Sequence, residues 1–477
     1  MRDLNQKEQV AEWYQGLGES SYALGDFTGA TPHFLESLSL LGAPAPRTRL
    51  QWLRVLAVNL LRQAGYRIRS PRRFRPELRH AALAAERLSE RAYFARDQIA
   101  LVGASLLGAN LSTLAGERGD LSRSYSMLSV ILCVGGFAGS SEKYHKLALN
   151  AADEVNDSRA RVLAGYTRSV ALSGRCEFTE ARQLGEEALQ RSRLLGNGED
   201  TEMCLCSVGN VEFYTGRIDE ADRVFQEVAE SAESRSNGLH ESWGLYAIAR
   251  GRIARGHYKQ AETPLRRALL LLEKDSEAVS VLICHGLLAE LLFATNRLFE
   301  AYSEALKTLE LIRTGPPTVL TEREGYAGAA AVFLGLWEKD LLGIGEVSSN
   351  LQQNAVEALK AMKRFASTFP LAEPRYLLLK GRYQFLRGRK RQARKTWLQA
   401  SDTADRQEMP HEQALLEREL GWRALENGEA SDKIHRQRAR ELFDQLGCQL
   451  HGGTVPPPGM QDAETQPAPP TISRVNS

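Results

Sequence analysis

The sequence predicts an all-α fold: a right-handed α-solenoid of antiparallel helix pairs, about 40 residues per repeat, with a disordered C-terminal tail. Three observations predict it. A four-residue signature returns at a fixed stride, a turn-tolerant residue precedes each copy by a constant distance, and apolar residues follow each copy at helical spacing.

The stride is clearest between residues 119 and 313. Phe178-Thr179-Glu180-Ala181, Ile218-Asp219-Glu220-Ala221, Tyr258-Lys259-Gln260-Ala261 and Leu298-Phe299-Glu300-Ala301 each read bulky apolar, any residue, Glu or Gln, Ala, and each lies 40 residues after the last. Five residues before each alanine stand Cys176, Gly216, Gly256 and Asn296. Gly or Asn there ends a helix cheaply in the left-handed conformation. Seven beyond each alanine stand Ala188, Val228, Ala268 and Thr308, and eight beyond stand Leu189, Ala229, Leu269 and Leu309. The alanine lets the second helix approach the first, and the i, i+3, i+4, i+7 positions form an apolar face that only a neighbouring pair can cover.

Taken in chain order, residues 1–42 hold a first pair, marked by Gly18, Gly25, Phe27, Ala30 and Phe34. Residues 43–118 fit the pattern poorly and are expected to form irregular helices with a basic loop; 119–313 carry the regular repeats, with a degenerate copy at Gly136, Ser141, Tyr144, Ala148 and Leu149. Pro316-Pro317 marks a break that opens an irregular connector over 314–350. Residues 351–451 resume the repeats through Gly381, Gly388, Ala393, Trp397 and Ala400, with a last pair over about 413–427 and 433–446. Residues 452–477, with VPPPG and QPAPP, read as a disordered Pro-rich tail.

Composition limits the function. With 61 Lys plus Arg against 59 Asp plus Glu, the charge of +2 supplies no global attraction for nucleic acid or membrane. The apolar stretch 328–337 is about half of the roughly 20 residues a spanning helix needs. The N-terminal MRDLNQKEQVAEW has no apolar run behind its charges, so no secretory signal is expected. Cys133, Cys176, Cys204, Cys206, Cys284 and Cys448 form no CxxC pair and read as reduced thiols of a cytoplasmic protein.

The turn spacing resembles the tetratricopeptide repeat. Gly18, Gly209 and Gly381 match its small residue at the eighth position; Gly25, Gly216, Gly256 and Gly388 match its glycine before the second helix; Ala30, Ala181, Ala221, Ala261 and Ala393 match its alanine at the twentieth. The interval of 40 departs from the family's 34. Segments 12–46, 369–405 and 408–450 are similar to the C-terminal helical region of bacterial proteins that join a class III adenylate/guanylate cyclase or a kinase to an AAA-type ATPase module. In those proteins the catalytic modules lie upstream. The resemblance therefore implies a stand-alone relative or the detached C-terminal part of a split protein, and transfers no catalytic residue.

The sequence contains no GxxxxGK[ST], GxGxxG after a strand, HExxH or GxSxG; His411-Glu412-Gln413-Ala414-Leu415 begins like a zinc motif and lacks its second histidine. Asp219 and Asp222 read as a solvated helix start, not as a metal pair. His257 and His285 read as packed or surface side chains, and Cys204 and Cys206, two apart on a helix, point different ways. No catalytic residue, cofactor or metal is expected.

What remains is a binding surface. By analogy with the tetratricopeptide family, Asn210, Phe213, Trp243, Tyr246, Arg250, Glu290, Phe293, Arg382 and Phe385 line a concave partner groove. Two basic clusters are candidate anion or partner patches: Arg67, Arg69, Arg72, Arg73 and Arg75 around Pro71 and Pro76, and Arg387, Arg389, Lys390 and Arg391 with Arg394 and Lys395 beyond. The expected function is a non-catalytic scaffold or regulatory module. It would hold protein partners, among them an upstream-encoded ATPase, kinase or cyclase module, and would bind neither membrane nor, on its charge balance, nucleic acid. The alternatives are the non-catalytic C-terminal portion of a nucleotide cyclase or ATPase signalling enzyme, and a nucleic-acid-associated regulator acting through the arginine clusters.

Overall fold

A computed structural model describes residues 2–23, 26–68, 73–273, 277–341, 350–426 and 431–448. Within them lie twenty-one α-helices and no strand. The proline-rich tail and Gly25 fall outside the described residues.

A step of 20 residues, half the sequence stride, governs the array. Successive helices begin at residues 98, 118, 138, 158, 178, 198, 218, 238, 258, 278 and 298. They are α5 (Gln98–Ala115), α6 (Arg118–Val134), α7 (Ala138–Glu154), α8 (Ser158–Gly174), α9 (Phe178–Leu195), α10 (Gly198–Tyr214), α11 (Ile218–Ser234), α12 (Gly238–Ala254), α13 (Tyr258–Leu272), α14 (Ala278–Ala294) and α15 (Leu298–Thr314). Before them come α1 (Arg2–Ala23), α2 (Phe27–Leu40), α3 (Arg49–Ile68) and α4 (Arg79–Phe94). After them come α16 (Arg323–Leu341), α17 (Leu351–Thr368), α18 (Glu373–Leu386), α19 (Lys390–Arg406), α20 (Pro410–Glu426) and α21 (Asp432–Gln445).

The turns explain the step. One residue near each turn is left-handed: Arg96, Gly116, Gly136, Asn156, Cys176, Gly196, Gly216, Ser236, Gly256 and Asn296. At most of these turns the next amide bonds back to a carbonyl five residues earlier, as from Arg217 to Glu212 at 2.8 Å and from Arg297 to Leu292 at 2.8 Å. The following helix then starts in one of two ways. First helices of the regular pairs carry a side-chain cap at Asp157, Asn197, Asn237 and Glu277, again 40 apart. Second helices start on the bulky residue of the sequence signature, and Phe178 and Ile218 are buried there.

The helices form ten antiparallel pairs: α1/α2, α4/α5, α6/α7, α8/α9, α10/α11, α12/α13, α14/α15, α16/α17, α18/α19 and α20/α21. Each pair packs on the first helix of the next, at most steps chiefly through its own second helix. Helix α3 belongs to no pair and lies on α5. Stretch 43–118, expected to be irregular, thus contains the regular pair α4/α5 as well as α3. Likewise, the connector expected over 314–350 contains α16, the first helix of pair eight.

Ala30, Ala181, Ala221, Ala261 and Ala393 are buried at the pair interfaces, as the tetratricopeptide pattern requires. Helix α5 is long and apolar enough to cross a membrane, a feature the sequence reading overlooked; 72% of it is buried inside the fold.

Candidate functional site

The first helices form the inner wall of the superhelix, and their burial differs from that of the second helices. Helix α11, a second helix, hides one apolar stripe and exposes the rest. By contrast every residue of α16 from Arg323 to Lys339, and every residue of α20 from His411 to Ala424, is buried. Such helices are covered on all sides. The cover comes from pairs distant in the chain: turns of one pair touch elements about five pairs away. A Cβ added to Gly216 would press on Leu446 and Pro410, and one added to Gly174 would meet Phe369 at 3.2 Å.

The tightest of these closures is at Arg96, in the α4–α5 turn. Its guanidinium donates to the carbonyls of Leu311 and Gly315 and to the Tyr326 hydroxyl, and lies 3.1 Å from Glu322, with both side chains fully buried. Glu322 in turn accepts from the Thr318 amide at 2.7 Å. The segment with Pro316-Pro317 is therefore more than a break: it straps the second pair to the eighth. Beside it Tyr93, Cys133, Val170, Val319 and Phe369 line a cavity of about 30 Å³, room for about one water.

The wall itself is charged. Arg375 and Arg382, seven apart on α18, meet Glu412 and Glu419, seven apart on α20, at 2.8 and 2.9 Å. From α16, Arg323 reaches Glu412 at 3.1 Å, and Glu338 accepts from Arg423 of α20 at 2.7 Å. Burial opposes ionisation of Glu412 and Glu419, but the facing guanidiniums win and hold both well below the usual carboxylate range. Glu290 on α14 faces the same cluster, and burial pushes it up to about 7 against the pull of Arg375. Burial also raises Glu338 and lowers Arg418 to about 9, the latter stacked 4.7 Å from the Trp422 ring.

All nine groove residues expected from sequence lie on inner helices α10, α12, α14 and α18, but the closure does not leave them open. Arg250 is 3% exposed, sits 3.9 Å over the Phe213 ring and donates to Asn210 at 3.0 Å. Trp243 is half-buried, stacks on His240 at 4.3 Å and donates to Ser280 at 3.1 Å. Tyr246, Glu290, Phe293 and Arg382 are buried. Phe385 is half-buried beneath the Arg423 guanidinium at 4.3 Å. Only Glu290 and Arg382 fall within the charged cluster. Arg323, Glu338, Arg375, Glu412, Glu419 and Arg423 were not singled out as wall residues, although the seven-residue spacing of Arg375/Arg382 and of Glu412/Glu419 is visible in the chain.

Of the basic patches, Arg69 and Arg72 lie outside the described residues, and Arg67 falls in the last turn of α3. Arg73 and Arg75 are exposed, Arg75 pairing with Glu77 at 2.9 Å. Arg387, Arg389, Lys390 and Arg391 are exposed at the α18–α19 turn. His411 is buried against Phe443 and its imidazole is pushed down to about 3, chiefly by burial, so it is neutral. His285 pairs with Glu304 at 2.5 Å and Asp222 with Arg255 at 3.0 Å. Among the described residues no three His, Cys, Asp or Glu side chains are grouped to hold a metal.

The fold is that of a tetratricopeptide-like solenoid. The chain superposes on a Rap protein, solved in complex with Competence and Sporulation Factor, over 77% of its own length and 99% of that chain, with a TM-score of 0.55 and 11% identity. The apo form of RapI gives a TM-score of 0.46 at 14% identity, covering 76% of this chain and 98% of that one. A signal transduction ATPase with numerous domains and a tetratricopeptide repeat sensor, from Pyrococcus horikoshii, gives 0.41 at 16% identity, covering 71% and 52%. No sequence-family model and no curated protein sequence matches the chain.

Proposed function

We propose that this chain is a non-catalytic scaffold or regulatory module whose inner wall receives a protein segment. A helical-repeat interaction module is what the fold supports; the charged inner wall is the single observation that carries the finer reading. Solenoid layers pack well with apolar side chains alone, and buried ion pairs add little net stability because both ions lose their water. Five arginines and four glutamates on α14, α16, α18 and α20 therefore suit exchange: a partner bearing both charges replaces one set of pairs with another at small net cost. The solved Rap protein of this fold is in complex with a factor, in keeping with a receiving role here.

Within this reading the partner is an ATPase, kinase or cyclase module supplied in trans, on the resemblance of segments 12–46, 369–405 and 408–450. That resemblance also favours a second reading, in which the chain is the non-catalytic portion of such an enzyme. The test is capture from the native host with the full chain as bait, followed by cross-linking of the purified complex. Cross-links to α14, α16, α18 or α20, and partner binding at least tenfold weaker for Glu290→Lys, are expected. Cyclic-nucleotide synthesis or ATP hydrolysis by the pure chain, or cross-links confined to the outer helices, would overturn the proposal.

A further inference from the structure

Helix α3 is built inside out. Its inward face, against α5, carries Val55, Asn59 and Gln63, all buried, with Trp52 packed on Gly103. Asn110 donates to the Asn59 carbonyl and amide oxygens at 2.9 and 3.0 Å. These bonds hold the polar stripe inward and turn the leucines out. Leu50, Leu53, Leu60 and Leu61 are 77, 45, 56 and 74% exposed, and with exposed Ala57 and Ala64 they share one face at spacings of three and four. This crest runs about 21 Å at ~1.5 Å per residue.

Arginines border the crest. Arg49 flanks one edge and Arg54 the other, while Arg62 lies about 100° round from Leu61, beside the inward face; all three are exposed. Among the described residues no carboxylate lies within ion-pair distance of them, whereas other exposed arginines are paired, among them Arg159 with Asp200 and Arg313 with Glu357, each at 2.7 Å. The surrounding sequence makes the asymmetry stark: residues 37–76 contain nine arginines, no lysine and no acid. With +2 overall and +9 here, the rest of the chain sums to −7.

Four occupants can be weighed against this geometry. A nucleic-acid backbone satisfies arginines but gains nothing from exposed leucines. A second copy would set two all-arginine flanks against each other. A partner helix prefers a groove, and α3, lying on α5, the second helix of pair α4/α5, is a ridge. A flat anionic bilayer accepts the leucines at the acyl boundary while the arginines extend to phosphates. We infer that α3 seats this solenoid on an anionic lipid surface, as a peripheral contact that needs no spanning helix.

The experiment is sedimentation of the full chain with phosphatidylcholine vesicles, with or without phosphatidylglycerol. Binding to the anionic vesicles alone is expected, weakening with salt. Arg49→Gln and Arg54→Gln should each reduce the vesicle partition coefficient about fivefold, and Leu50→Ser with Leu61→Ser should reduce it further. All four positions are exposed, and an unchanged thermal midpoint verifies that each variant is folded. Equal partition onto neutral vesicles, no partition onto either, or unchanged binding by the leucine variant overturns the inference. So does preferential binding to duplex DNA or to a synthetic Leu/Glu heptad peptide.

Discussion

Single positions carry the pairing rule. Gly18 faces Phe34, Gly209 faces Phe225 and Gly381 faces Trp397, each sixteen residues on, and a Cβ on any of the three glycines would strike the ring. The relation inverts in pair four, where Gly185 sits against Ser169. Gly381→Ala should therefore lower stability by about 1–3 kcal/mol through overpacking. The control Gly16→Ala, on a helical glycine with open space around it, should raise stability by up to about 1 kcal/mol; chemical denaturation of both variants checks the contrast. Titration gives a second residue-scale prediction. Glu290 has a folded-state value raised to about 7, so its contribution is fully present below the unfolded value of about 4.3 and is lost as pH rises through 7. Glu290→Gln should stabilise the protein above about pH 7, with the advantage vanishing near pH 4. Glu412 and Glu419 act with the opposite sign: their contribution is present above about pH 4.3 and lost as pH falls towards their depressed folded values. Thermal midpoints across pH, for wild type and variant, separate the two signs.

At the scale of elements, two contacts between first helices set the wall. Helices α14 and α16 cross at Gly286, Gly325 and Gly328, where an added Cβ would overlap the opposite backbone. The approach is therefore closer than alanine permits. Helices α16, α18 and α20 are tied by the two-rung ladder of Arg375–Glu412 and Arg382–Glu419 with Arg323 and Glu338. Glu412→Gln leaves Arg323 and Arg375 buried without their shared carboxylate and should cost about 3–5 kcal/mol. Adding Arg375→Met to it should cost less than the two single losses summed, because one uncompensated charge goes with it; a double-mutant cycle measures the difference. Much of this scale was legible in advance. The second helices announced themselves by their bulky starts and alanines, and the last pair fell close to its expected bounds. Helix α16 did not, because a helix buried on every side has no apolar stripe to reveal its period. The caps at Asp157, Asn197, Asn237 and Glu277 repeat at 40 as regularly as the alanines, and were there to be read.

For the molecule as a whole, closure is the governing fact. The strap at 315–322 binds Arg96 across the superhelix, so opening the wall to a partner requires this latch to yield. Arg96→Ala should speed amide exchange over 315–326 and enlarge the radius of gyration while leaving helix content unchanged; exchange mass spectrometry and small-angle scattering report each. Slow exchange retained in this segment would mean that the strap is held by packing alone.

The chain's own order of residues determined the all-α class, the stride, the turn positions and the second-helix interfaces, because each depends on contacts within a pair or between adjacent pairs. Tertiary structure alone decided that six of the nine groove residues are buried, that Arg323, Arg375, Glu412 and Glu419 meet, and that α3 shows its leucines to solvent. Those outcomes follow from superhelical curvature, which sums small rotations over many pairs and brings together residues that no local periodicity connects.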